Sequence, residues 1–341
     1  MSGHNPWYPM LATLLASGRT LLADGATGTN LFAMGLTSGD APEMWNLEHP
    51  DRVRALHQGF VDAGADIILT NSFGGNARRL MLHGMQDRVR EINCLAAQHA
   101  RSVADKAGRP VVVAGSVGPT GDLFEPLGVL TEAMAVEVFE EQIRGLKEGG
   151  ADVAWIETMS SLEEIKAAAT AAANVGMPYT FTASFDTAGR TMMGITPAAL
   201  VEFAQSLNPP PLAIGANCGV GASDLVVSIL GMTAREAGIP IIAKANAGVP
   251  KFIGTDIHYS GTPELMATYV DLAANSGARI IGGCCGTTFG HLSAMHEALQ
   301  HHHAGARPDE AQVVAELGPL QAPGAKGGHK VGGEGRRNRR T

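Results

Sequence analysis

The sequence is short of aromatic residues, cysteines and long apolar runs, and each shortage excludes a class of protein. Aromatic side chains make up 5% of the 341 residues, whereas hydrophobic residues make up 45%. This composition suits helices packed tightly on a sheet. No apolar run reaches the roughly 18 residues that a membrane-spanning helix needs. We therefore expect no membrane association.

The N-terminal segment and the cysteines both indicate an intracellular protein. Residues 1–10, MSGHNPWYPM, lack the basic and then apolar stretch of a secretory signal. Three of the four cysteines lie in two glycine-flanked clusters, which argues against a disulfide framework. A reducing cytoplasm keeps such thiols free. The sequence predicts a cytoplasmic protein and leaves its oligomeric state open.

Both ends of the chain differ from its body. The net charge is −8, yet residues 322–341 contain six Lys or Arg and one Glu, with almost no apolar side chain. Such a segment cannot bury a core, so we predict a flexible, basic C-terminal tail over residues 304–341. A solvated terminus explains the RRNRR stretch better than a nucleic-acid partner does. Residues 1–19 are predicted to be an N-terminal extension.

The body of the chain, residues 20–303, alternates strands and helices. Eight apolar, β-rich runs occur, and helical patterns that end in Gly-Ala or Gly-Gly separate several of them. The runs are continuously apolar, as buried parallel strands are. Eight such units favour an α/β fold, a (β/α)8 TIM barrel, over an open doubly wound sheet. The predicted strands are 21–26, 66–73, 111–118, 153–158, 179–185, 212–218, 241–248 and 279–285.

Three cysteines stand at the ends of predicted strands. Cys218 ends LAIGANC, and Cys284 and Cys285 end RIIGGCC. The C-terminal ends of all strands meet at one mouth in a TIM barrel, so we expect the three thiols to converge. Three protein thiolates with one vacant position are how zinc is held when it must also bind a substrate. The alternative for a lone cysteine is a small buried hydrophobe.

Polar residues also end the predicted strands, where burial is costly unless they are paired. Glu157 follows the apolar run VAWI, and it either forms a salt bridge to a barrel lysine or arginine or binds a substrate ammonium group. Asp24 is either a turn former or a site residue, and its DGATGTN segment lacks the lysine of a phosphate-binding loop. Other predicted strand ends of this kind include Gly25, Thr70, Asn71, Ser116 and Val117, and the clustering of such residues at one mouth indicates a functional site.

Seven motifs, in order from about residue 20 to residue 300, resemble those of the homocysteine S-methyltransferases. The most specific is GGCCG at 282–286 together with the upstream GANC at 215–218. The family includes betaine–homocysteine methyltransferases, S-methylmethionine-dependent enzymes and the homocysteine module of cobalamin-dependent methionine synthase. The other motifs are DGATGT (24–29), TNSF (70–73), GSVGPT (115–120), ET (157–158) and NAGVP (246–250).

The resemblance implies a Zn2+ ion held by Cys218, Cys284 and Cys285, with the sulfur of L-homocysteine in the fourth position. Zinc deprotonates a coordinating thiol, and a thiolate is the better nucleophile toward an activated methyl group. The resemblance also implies that Glu157 pairs with the ammonium of homocysteine. The resemblance further implies that backbone groups hold the two ends of the substrate, and that two side chains line the pocket. The backbone groups are those of Asp24, Gly25, Ser116 and Val117, and the side chains are those of Thr70 and Asn71.

The methyl donor is less defined. Betaine-using animal enzymes that the chain resembles carry an aromatic residue after the phenylalanine of the second-strand motif, where this chain has Gly74. An aromatic wall holds a quaternary ammonium by cation–π contact, so Trp45 or Tyr259 would have to supply it. We expect betaine or a related onium donor. A separate corrinoid protein, which would make this chain the homocysteine-activating subunit of a split methionine synthase, and S-methylmethionine are the alternatives.

A non-catalytic barrel with a structural zinc is a further alternative. Structural zinc sites usually close with a fourth protein ligand. No fourth Cys or His is evident at a predicted strand end. The sequence therefore favours an open, catalytic site.

Overall fold

The structure is a computed structural model that describes residues 10–234, 238–253 and 256–322. Eight of its strands correspond to the eight runs predicted from the sequence, and two more form a hairpin that was not predicted. In chain order the strands are β1 (Leu21–Leu22), β2 (Ile67–Leu69), β3 (Val112–Val117), β4 (Val153–Met159), β5 (Tyr179–Ala183), β6 (Ile214–Cys218), β7 (Ile241–Ala245), β8 (Pro250–Ile253), β9 (Asp256–Tyr259) and β10 (Ala278–Gly283).

The predicted strands form one parallel sheet that closes on itself. Their order around the sheet is β1-β10-β7-β6-β5-β4-β3-β2. A parallel bridge between Ala23 and Ile67 joins β1 to β2. The prediction of a (β/α)8 TIM barrel is therefore confirmed, and the C-terminal ends of eight strands surround one mouth.

Helices cover the outside of the barrel, and several begin at a side-chain cap that the sequence supplies. The hydroxyl groups of Thr131, Ser161, Thr196 and Thr262 each accept a hydrogen bond from a backbone N–H of the first turn. None of the helices in the described ranges has both the length and the apolar character of a membrane span. The helices are α1 (Met10–Ala16), α2 (Thr27–Ala33), α3 (Trp45–Glu48), α4 (Pro50–Asp62), α5 (Ala77–Leu80), α6 (Val89–Ala104), α7 (Glu132–Glu148), α8 (Leu162–Val175), α9 (Pro197–Ser206), α10 (Ala222–Thr233), α11 (Pro263–Asn275), α12 (Phe289–His301) and α13 (Glu310–Leu317), with short 3-10 turns at Pro42–Met44, Met81–His83 and Gln86–Arg88.

The barrel interior below the mouth is apolar. Alternate strand residues point inward, and among them Val153, Trp155 and Ile242 are fully buried in one cluster. Leu11 and Leu15 of α1 belong to the same cluster. Part of the predicted N-terminal extension is thus packed against the barrel. The filled interior leaves the open mouth as the place for a ligand in the described part of the barrel.

The segment predicted as a flexible tail, residues 304–341, contains the helix α13. α13 buries Val313 and Leu317, because its apolar residues recur at helical spacing. The Asp224 carboxylate accepts hydrogen bonds from the N–H groups of Gln321 and Ala322 at 3.0 and 2.9 Å. The prediction of flexibility is corrected for this part. Residues 323–341, with most of the basic stretch, lie outside the described residues.

Candidate metal centre and substrate cavity

The three predicted thiols lie together at the barrel mouth. Cys218 ends β6, whereas Cys284 and Cys285 directly follow β10, and β7 lies between these two strands. The three sulfur atoms lie within 4.8 Å of one another. The sulfur atoms of Cys218 and Cys285 are 3.9 Å apart. One metal ion could therefore contact all three.

Unusual backbone angles aim these side chains. Cys218 has a φ of 60°, in the left-handed region that non-glycine residues seldom adopt. Gly286 has a φ of 78°, and a Cβ there would come within 2.2 Å of the Tyr259 ring. Such a non-glycine conformation costs on the order of 1–3 kcal/mol and is typical of functional sites.

The side chain of Asn246 contacts both ends of the thiol cluster. It follows β7, the strand between the two cysteine-bearing strands. Its Nδ2 lies 3.6 Å from the Cys218 Sγ, and its Oδ1 accepts a hydrogen bond from the backbone N–H of Cys285 at 3.0 Å. Groups that hold metal ligands in place in this way tune metal affinity. The sequence analysis placed Asn246 in a motif but gave it no role.

Asn217 has a matching position on the other side of the cluster. Its Nδ2 donates to the Thr158 Oγ1 at 2.7 Å and lies 3.8 Å from the Cys284 Sγ. Its Oδ1 accepts from the backbone N–H of Thr158 at 2.9 Å. The amide thus links the end of β4, where Thr158 has a φ of 61°, to the thiols. This role also could not be assigned from the sequence.

The surroundings of the three thiols disfavour their ionised form unless a cation binds beside them. The contact with Cys218, followed by burial, raises the pKa of the Cys284 thiol. Three neighbouring thiols in such surroundings stay protonated in the absence of positive charge. Cys218, Cys284 and Cys285 would hold a divalent cation as thiolates, because its positive charge would favour their deprotonated form.

A cavity of about 570 Å³ opens beside the thiols. Five of the predicted substrate-binding residues line it, together with the three cysteines and Lys244. Val117 does not line it, because its side chain is fully buried in the outer core. The predicted residues that line the cavity are Gly25, Thr70, Asn71, Ser116 and Glu157.

Glu157 presents a buried carboxylate to the cavity. The residue is 8% exposed, and its Oε1 accepts a hydrogen bond from the Ser116 Oγ at 2.5 Å. Burial raises the pKa of Glu157, and the positive charge of Lys244 opposes that effect. A carboxylate in this position is set to bind a cation, because little water is available to screen it.

A chain of hydroxyl groups fixes Ser116. The Thr70 Oγ1 accepts from the backbone N–H of Ser116 at 3.0 Å and lies 2.6 Å from the Ser72 Oγ. The Ser72 Oγ donates in turn to the carbonyl oxygen of Ser116 at 2.8 Å. Thr70 therefore helps to fix Ser116, and Ser116 in turn fixes the carboxylate of Glu157.

Lys244 is a further cavity residue that could not be predicted from the sequence. Its Nζ lies 2.7 Å from the Asp24 Oδ1, and both side chains are 2% exposed. The second oxygen of Asp24 accepts from the backbone N–H of Leu69 at 2.7 Å. Asp24, predicted to bind substrate, therefore holds Lys244 and does not itself line the cavity. The signal in the sequence is the lysine inside the apolar run IIAKA.

Trp45, the predicted donor wall, does not line the cavity. It is 4% exposed, and its ring makes an edge contact with the His49 ring at 4.8 Å between centroids. The guanidinium of Arg52 lies 5.0 Å from the Trp45 ring centroid. Because local residues and the core cover the ring, the prediction of a donor-binding role for Trp45 is withdrawn.

Gly74, where the resembling betaine enzymes carry an aromatic residue, lies against the carboxylate of Glu43. The Glu43 Oε1 accepts a hydrogen bond from the backbone N–H of Gly74 at 2.6 Å. A Cβ at Gly74 would lie only 3.0 Å from the same oxygen. Burial raises the pKa of Glu43. Glu43, Arg79 and His83 all line the cavity, so acidic and basic side chains both face it.

Comparison with known proteins places the chain in a family. The sequence profile described as homocysteine S-methyltransferase matches residues 21–299. The chain belongs to this family. The predicted membership is confirmed, and the thiol cluster lies within the matched part.

Two curated relatives are named methionine synthase. That of Mycobacterium tuberculosis (strain ATCC 25618 / H37Rv) is 31% identical over 316 residues, which cover 88% of this chain and 26% of the relative. That of Mycobacterium leprae (strain TN) is 29% identical over 306 residues, covering 85% and 25%. This homocysteine S-methyltransferase family member thus spans about a quarter of the length of these relatives.

Solved structures support the fold. The homocysteine methyltransferase MmuM from Escherichia coli, in a metallated form, superposes with a TM-score of 0.72 at 23% identity, covering 84% of this chain and 99% of that one. Its oxidized form gives a TM-score of 0.73 at 22% identity, covering 85% and 99%. At this identity the likeness establishes a shared barrel.

Proposed function

We propose that this protein transfers a methyl group to the sulfur of L-homocysteine, giving methionine, with zinc held by Cys218, Cys284 and Cys285. The observation that carries the proposal is the convergence of these three thiols beside a cavity that contains a buried carboxylate. The free thiols favour a reducing, cytoplasmic setting.

The thiol cluster fits zinc by its chemistry. Thiolates are soft ligands, and zinc takes four ligands in a tetrahedral arrangement. Within the described ranges, the group of candidate ligands around Cys218 contains the three cysteines and no fourth His, Cys or carboxylate. That argues against a closed structural site and leaves one position for a substrate sulfur. When bound, zinc supplies the positive charge that keeps the substrate sulfur as a thiolate.

Glu157 fits the ammonium group of homocysteine. It is a buried carboxylate on the cavity wall within the influence of the Lys244 charge, and Ser116 fixes one of its oxygens. A charge-assisted hydrogen bond from an ammonium to the other oxygen would compensate its burial. The protein would thereby orient the amino acid with its sulfur toward the thiol cluster, and such orientation lowers the barrier to methyl transfer.

The donor that we propose is betaine or a related onium compound. Glu43 lies beside Gly74, the position at which the resembling betaine enzymes carry an aromatic residue, so a carboxyl group is available there in place of a cation–π wall. Arg79 and His83 on the same cavity suit the carboxylate of a zwitterionic donor. A buried carboxylate attracts an onium cation strongly because water does not screen it.

A second donor is favoured by a different observation. Large apolar side chains are exposed on the loops around the mouth, among them Leu82, Leu127 and Met192. Leu82 also lines the cavity itself. Exposed apolar patches of this kind mark docking surfaces. This chain also matches part of relatives named methionine synthase, and we propose a methylcorrinoid protein as the alternative donor.

A donor panel tests the proposal. Zinc-loaded protein is incubated with L-homocysteine and betaine, S-methylmethionine or methylcobalamin, and methionine is measured. We expect methionine with betaine or another onium donor, loss of activity in Cys284→Ala and with chelator, and a raised donor KM in Glu43→Gln. Turnover with methylcobalamin alone would support the corrinoid alternative. No methionine with any donor would contradict the assignment.

A further inference from the structure

Lys244 is a buried cation on the cavity wall that the proposed reaction has not yet used. It lies on β7, two residues after Ile242, and both side chains point into the barrel. Ile242 belongs to the apolar interior, whereas Lys244 reaches the cavity. Lys244 therefore lies at the boundary between the apolar interior of the barrel and its open mouth.

The Lys244 ammonium keeps its charge. Burial lowers the pKa of Lys244, but the charges of Asp24 and Glu157 outweigh burial and hold the pKa above its ordinary value. A lysine ammonium has three N–H donors. In the described residues its close partner is the Asp24 oxygen at 2.7 Å. Donors therefore remain for a ligand in the cavity.

The ion pair with Asp24 has no obvious value for stability. Burying two charges costs several kcal/mol per ion, and a pair of apolar residues often replaces such a pair without loss. Asp24 is also held from behind by the N–H of Leu69 at 2.7 Å. The arrangement resembles a fixed support for the lysine, which also lines the cavity.

We propose that Lys244 binds the carboxylate of the amino thiol, and that Asp24 positions Lys244 for this contact. The inference rests on the proposed function, in which Glu157 binds the ammonium of the same molecule. Glu157 and Lys244 then present opposite charges on one wall, beside the thiols. A zwitterionic α-amino acid matches this pair, whereas a simple thiol or amine matches only part of it.

Ligands that lack one charged group separate the two contacts. The test measures binding to the zinc-loaded protein by calorimetry, without any methyl donor. The ligands are L-homocysteine, 3-mercaptopropylamine, which lacks the carboxylate, and 4-mercaptobutanoate, which lacks the ammonium. Lys244→Met should weaken homocysteine binding at least about tenfold and leave 3-mercaptopropylamine nearly unchanged. Glu157→Gln should instead spare 4-mercaptobutanoate.

A paired variant keeps the test valid if Lys244→Met leaves Asp24 unpaired and unfolds the protein. Asp24→Asn combined with Lys244→Met removes both charges together and should show the same selective loss for homocysteine. Equal losses for homocysteine and 3-mercaptopropylamine in that double variant would overturn the inference and make the pair structural. If the unaltered protein binds no homocysteine, the proposed function fails instead.

Discussion

Replacing Glu157 with glutamine removes one charge from the cavity and changes little else. Glutamine has the same shape, and its side-chain oxygen can still accept the hydrogen bond that the Ser116 Oγ donates at 2.5 Å. Since Glu157 is 8% exposed, solvent screens its charge weakly. A charge-assisted hydrogen bond contributes about 1.5–3 kcal/mol. We therefore expect Glu157→Gln to raise the Kd for homocysteine about 10- to 150-fold.

The assay is calorimetric titration of L-homocysteine into zinc-loaded protein, with zinc content measured on the same samples. Zinc should stay unchanged, because Glu157 is not among the three candidate ligands. Glu163→Gln makes the same chemical change at an exposed position of α8 and serves as the control. An unaltered homocysteine Kd in Glu157→Gln would refute the ammonium contact and leave the carboxylate a purely structural role.

Other predictions address the metal, the core and the C-terminal helix. Asn246→Ala should lower zinc affinity about 10- to 100-fold in a chelator competition, since it removes both contacts to the thiol cluster; unchanged affinity would contradict this. Burial lowers the pKa of His57 to about 3, and neither ring nitrogen has a hydrogen-bond partner in the described residues. Below about pH 6.5, His57 is therefore protonated in the unfolded chain but stays neutral in the folded protein. The free energy of unfolding should fall by about 2 kcal/mol between pH 7 and pH 5. In urea unfolding at pH 7 and pH 5, His57→Leu should not show this decrease in the free energy of unfolding. A decrease as large as in the unaltered protein would contradict the role of His57. Truncation after Arg307 should lower the free energy of unfolding by about 3–6 kcal/mol through two buried apolar side chains of α13, whereas truncation after Ala322 should not; equal effects would contradict the packing.

The sequence predicted the barrel and the meeting of the thiols for one physical reason. Buried parallel strands are continuously apolar, so they can be recognised without any knowledge of their partners. Once eight of them form a barrel, the position of a residue at a strand end fixes its place at the mouth. Cys218 and Cys284 could therefore be brought together although 66 positions separate them.

Contacts that depend on side-chain direction could not be predicted in this way. Lys244 of β7 and Asp24 after β1 form their ion pair past the intervening strand β10, and nothing local in either segment indicates the other. Trp45 was expected at the cavity from its type alone, but the packing of its own helix and Arg52 covers it. Glu43 reaches Gly74 because a glycine there leaves room for its carboxylate, which only the loop geometry reveals.

The central claim is that three protein thiolates hold zinc and leave the fourth position to the substrate. Zinc X-ray absorption spectroscopy of the loaded protein, with and without L-homocysteine, tests it directly. Three sulfur neighbours from Cys218, Cys284 and Cys285 should become four when homocysteine is added, and Cys284→Ala should fail to retain stoichiometric zinc. A sulfur count that homocysteine does not change, or full zinc content in Cys284→Ala, would contradict the account.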